Sequence, residues 1–75
     1  MQRYKNLSGD SSVYAYEIGD DYIDVQFKDG SVYRYSYRSA GAFNVEQMKE
    51  YAVIGDGLGL FIQRKVRKLY EFRKF

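Results

Sequence analysis

Arg64, Arg67 and Lys68 stand three and four residues apart near the end of a 75-residue chain. That spacing puts side chains on one face of a helix. Guanidinium and ammonium groups gathered on one face are phosphate-binding chemistry, because each makes charge-assisted hydrogen bonds to phosphate oxygens. Residues 64–75 carry Arg64, Lys65, Arg67, Lys68, Arg73 and Lys74 against Glu71 alone, whereas most of the acids fall in residues 10–56. A basic end on an acidic body fits an anionic partner. The plainer alternative is a solvated helix face, since basic residues near a helix C-terminus are favoured by the helix dipole in any case.

Aromatic rings form the second set. Tyr33, Tyr35 and Tyr37 alternate with Arg34, Ser36 and Arg38. On a strand all three rings share one face and both arginines the other. An open row of rings is a base-stacking platform. A row covered by helices is core, and the need to cover one sheet face favours core. Arg34 would then face water and extend the basic patch.

Other chemistry finds little footing. With no His and no Cys, the usual zinc and haem ligands are absent and no disulfide can form. Ser11-Ser12 has no His to act as base. Asp20, Asp21, Asp24 and Asp29 fit no EF-hand spacing and read as solvated turn acids. Gly55-Asp56-Gly57-Leu58-Gly59 lacks the Lys-Ser/Thr of a phosphate loop and reads as a turn between helices. The expectation is a protein that is not an enzyme and takes no cofactor or metal.

The elements that must hold these groups follow from periodicity. Residues 1–10 are polar and read as a flexible arm, with a single domain over 11–75. Tyr14, Tyr16 and Ile18 alternate as a first strand, and Ile23, Val25 and Phe27 as a second. A two-residue loop at Asp29-Gly30 would pair Val25 with Arg34 and force arginine into the core. A three-residue loop pairs Val25 with Tyr33 and Ile23 with Tyr35, so that loop is expected, with Gly30 left-handed. Phe43-Asn44-Val45-Glu46-Gln47-Met48 reads as a helix start: Asn44 and Gln47 form a capping box, and Phe43 and Met48 a hydrophobic staple. The small-residue run 39–42 is a connector, and the helix stops at Gly55. Leu58, Phe61, Ile62, Val66, Leu69 and Phe72 make the apolar stripe of a second helix, with Lys65 snorkelling past it and residues 71–75 frayed. The expected class is α+β, a three-stranded antiparallel meander followed by two helices packed on its aromatic face (β-β-β-α-α). A domain of this size buries only about 60–65% of its unfolded surface, so bulky aromatics, 19% of the chain, must fill the core.

These residues resemble the KTSC domain, a short bacterial module named for lysyl-tRNA synthetase C-termini. The likeness runs from Ser11-Ser12 through Phe27-Lys28-Asp29-Gly30-Ser31-Val32-Tyr33-Arg34-Tyr35, which holds the family's Tyr-x-Tyr (Tyr33, Tyr35), to Phe61-Ile62 and Val66-Arg67. It covers roughly residues 11–70. The chain departs from the commoner pattern at residues 39–44 and at Gln63, where many members have asparagine. Attachment of such modules to some synthetases implies RNA binding, by association.

The sequence thus points first to a non-catalytic accessory module binding RNA or single-stranded DNA, with phosphates on Arg64, Arg67, Lys68 and Arg34. The alternative is a module for another protein or for self-association, docking through the outer sheet face (Val13, Tyr22, Val32) or the first-strand edge. No segment is long and apolar enough to span a membrane, and no apolar leader opens the chain, so a cytoplasmic location is expected.

Overall fold

A computed structural model describes all 75 residues. The chain folds as an α+β domain with one five-stranded antiparallel sheet in the order β1-β2-β3-β4-β5. The strands are β1 (Gln2–Arg3), β2 (Val13–Ile18), β3 (Tyr22–Phe27), β4 (Val32–Ser36) and β5 (Phe72–Arg73). The helices are α1 (Tyr37–Ala40), α2 (Ala42–Ile54) and α3 (Leu58–Phe61), and α3 runs on as a π-helical turn over Ile62–Val66.

The middle of the sheet is the expected meander. Val25 pairs with Tyr33 and Ile23 with Tyr35, as parity requires. Gly30 takes φ of 92°, and the Phe27 amide donates to the Ser31 carbonyl across the loop. Asp29 fixes the same loop by accepting from the Ser31 amide and hydroxyl. Tyr16 pairs with Val25 and Ile18 with Ile23, so a two-residue turn at Asp20-Asp21 joins β2 to β3.

The helices cover one face of this sheet. Tyr16, Ile23, Val25 and Tyr35 form one cluster with Val45, Met48 and Ala52 of α2 and with Leu58, Ile62 and Val66. The π-helical turn is wider than an α-turn, which keeps residues four apart aligned. Leu58, Ile62 and Val66 therefore share one buried line.

Several expectations are corrected. A bulge in β2 between Val13 and Ala15 resets the parity, so Val13 joins the core and Tyr14 faces out. Tyr37 is not a strand residue. Ser36 ends β4 and caps α1 in a reciprocal box with Ser39, both amide-to-hydroxyl distances being 3.1 Å, so the supposed connector is helical. With helix already started, α2 follows after a kink at Gly41, and Asn44 lies inside it, donating to the Ala40 carbonyl. Phe43 is 80% exposed, so no staple forms.

The largest departures lie at the two ends. The supposed arm contributes β1 and Tyr4, whose ring is buried in the core. The last residues, instead of fraying, leave the helix after Val66 and return as β5 alongside β4. Leu69 and Phe72 consequently fall outside the helical stripe and stay partly exposed.

Candidate nucleic-acid interface

The basic side chains expected to bind phosphate separate into two groups. Arg64 sits on the π-helical turn, with Arg67 and Lys68 just beyond it, and all three are exposed. The ion pairs of the molecule are Arg34 with Asp24, Lys74 with Asp24, and Lys49 with Glu46. Arg64, Arg67 and Lys68 thus have no carboxylate of their own, and their charge is unspent.

Arg34 belongs to a different site. It lies on the sheet face away from the helices, as alternation demands, but most of its side chain is covered and only part of it meets water. Its Nε donates to Asp24 Oδ1 at 2.7 Å and its Nη2 to Oδ2 at 3.0 Å. The guanidinium also lies 3.8 Å over the Tyr22 ring and 5.2 Å from that of Phe72. Lys74 Nζ completes the group at 3.0 Å from Asp24 Oδ2. Arg34 is therefore engaged as a structural cation, with its guanidinium committed to Asp24 and the two rings.

Asp24 was expected to be solvated and is fully buried instead. Burial pushes its carboxyl up, but the hydrogen bonds and charges of Arg34 and Lys74 outweigh burial and hold it below the usual carboxylate value. The signal for this pair was present in the strand register. Pairing Val25 with Tyr33 places Asp24 directly opposite Arg34, where opposite charges attract. Lys74 gave no such signal, because its position depends on the return of the chain as β5.

Of the motif tyrosines, Tyr35 is buried beneath the helices, and burial raises its hydroxyl to about 12. Tyr33 is only half-buried. It meets Phe27 edge-on at 5.9 Å and Tyr70 at 4.7 Å, and the Arg73 guanidinium lies 5.7 Å from its ring. Tyr33 of β4 is thus brought against Tyr70 and Arg73 of the basic segment, a juxtaposition made by the return of the chain as β5.

Surfaces suited to a protein partner are also redistributed. Val13 is in the core, Val32 is buried and Tyr22 is half-covered by Arg34, so the outer face holds no open apolar patch of those three residues. The exposed edge expected on β2 is taken by β1. Two shallow depressions that share Val53 instead carry apolar side chains, one with Ile18 beside Glu17 and the other with Ile54 beside Glu50.

Ser11, Ser12 and Gln63 line a cleft of about 420 Å³ with Ser8, Asp10 and Asp56. Ser11 has a local duty there, accepting the Val13 amide at 3.1 Å as β2 begins. No family model, no curated protein and no solved structure matches the chain. No helix is long and apolar enough to cross a membrane.

Proposed function

We propose that the protein is a non-catalytic, KTSC-like accessory module that binds RNA or single-stranded DNA. The observation that carries this reading is the contrast in how cations are used. Arg34, Lys74 and Lys49 are neutralised internally, whereas Arg64, Arg67 and Lys68 crowd one exposed turn without partners. Like charges held together on a folded surface repel, and a phosphate backbone relieves that repulsion while releasing its own counterions. Such contacts position a strand without reading its sequence.

The test is an anisotropy titration with labelled mixed-sequence RNA and single-stranded DNA over a range of salt. Binding should weaken steeply as salt rises. Arg64→Glu with Arg67→Glu should weaken it further and reduce the salt slope by about 1.4, roughly 0.7 for each lost phosphate contact on a single strand. Absence of binding at low salt, or a double variant that binds as well as the parent, would refute the proposal.

A second reading, a module for another protein or a second copy, draws on the exposed Ile18, Val53 and Ile54, which line two shallow depressions that meet at Val53. Association through those apolar residues should persist at high salt, which separates it from phosphate binding.

A further inference from the structure

Resting on that reading, we infer that Tyr70 and Tyr33 form a base-stacking site beside the phosphate-binding turn, which directs the protein to unpaired rather than duplexed strands. Tyr70 lies between the basic turn and β5, two residues after Lys68 and three before Arg73. The residue is 40% exposed. Edge-to-face contacts hold it at 4.7 Å from Tyr33 and 6.4 Å from Tyr35. The backbone around it is pinned from both sides, the Leu69 amide donating to the Val66 carbonyl and the Glu71 amide to that of Arg34.

A ring fixed in this way loses little freedom when a base stacks on it, so the stacking energy is kept. Every nucleobase has a flat π-face, and stacking on an aromatic side chain is tolerant of sequence. A duplex hides those faces in its own stack and offers only its backbone and groove edges. The cations of Arg67, Lys68 and Arg73 flank the ring in sequence, so a strand following them would bring a base past Tyr70 while its phosphates meet the charges. Exposure alone does not make such a site. Phe43 is twice as exposed, at 80%, but lies at the start of α2 outside the basic segment.

Affinities of the full chain for oligo(dT), oligo(U) and a DNA hairpin duplex test this by anisotropy. The parent should prefer both oligonucleotides to the duplex. Tyr70→Leu, which keeps an apolar cap over Tyr33, should lose roughly tenfold in oligonucleotide affinity with duplex affinity unchanged. Phe43→Leu should change neither, and Tyr70→Phe should bind like the parent. Far-ultraviolet circular dichroism of each variant reports whether the fold survives, and if the leucine variant does not fold, the preference of the parent for single strands over the duplex still decides the matter. Equal binding of single strands and duplex, or a folded Tyr70→Leu that binds oligonucleotides normally, overturns the stacking site and leaves the phosphate-binding turn standing. A parent that binds none of the three probes removes both.

Discussion

The first few residues and the last few do the same job by different physics. Each end of the chain supplies a two-residue strand, β1 against β2 and β5 against β4. The N-terminal strand is anchored from within. Tyr4 inserts into the core, and its hydroxyl accepts the Leu58 amide at 3.2 Å, satisfying a donor at the start of α3. The Leu7 amide then donates to the Gly55 carbonyl at 2.8 Å. Gly55 is left-handed, and a Cβ there would sit 2.5 Å from that of Lys5, so the helix turn accepts the passing segment only as glycine. The C-terminal strand is anchored from outside, by Lys74 on the buried Asp24 carboxylate and by Arg34 stacked between Tyr22 and Phe72. Burial of apolar surface responds little to salt or acid, whereas a carboxylate bridge responds to both. The two ends should therefore come apart under different conditions.

The largest effect is expected at the inner anchor. Tyr4→Ala should cost about 3–5 kcal/mol, as for other large aromatic truncations, measured by urea denaturation. Tyr4→Phe should cost only about 1 kcal/mol, for the Leu58 amide left unpaired. Neither cost should change between low and high salt. An inner anchor whose loss is salt-dependent would erase the contrast.

A smaller effect is expected at the outer anchor. Asp24→Asn should cost about 1–3 kcal/mol at neutral pH, less than a wholly enclosed pair because both cations reach solvent. Since the folded carboxyl titrates below its unfolded value, its contribution is complete above about pH 4 and is lost as pH falls through the folded value. The parent and Asp24→Asn should converge in strong acid, and amide exchange at Lys74 should rise there before exchange at Ile23. Simultaneous loss of protection at both positions would mean that β5 is no separate latch.

The smallest effect should come from Lys74→Ala, under about 1 kcal/mol, since its ammonium is nearly half exposed and Arg34 still pairs with Asp24. A larger loss would show that Lys74, rather than Arg34, keeps the carboxylate charged.

Local pattern revealed the centre of the sheet and little of its margins. Gly30, Val25 and Tyr33 fix one another through parity, since an even-numbered loop drives Arg34 inward. The left-handed stop at Gly55 was equally plain. The bulge in β2 was hidden because Val13, Tyr14, Ala15 and Tyr16 offer apolar residues on both parities. β5 was hidden because Leu69 and Phe72 also fit a helical stripe, and two residues carry no period of their own. Of the interface, Arg64, Arg67 and Lys68 were legible from spacing, while the cluster of Tyr70 with Tyr33 depends on a long-range return that no local signal announces.

The strand order places Gln2 and Arg73 in the two outermost strands of the sheet. Four inter-strand steps of about 4.8 Å separate them, so the two termini depart about 19 Å apart, from opposite rims. A neighbouring domain joined ahead of residue 1 would be held away from one joined behind residue 75, with the whole width of the module as the spacer between them.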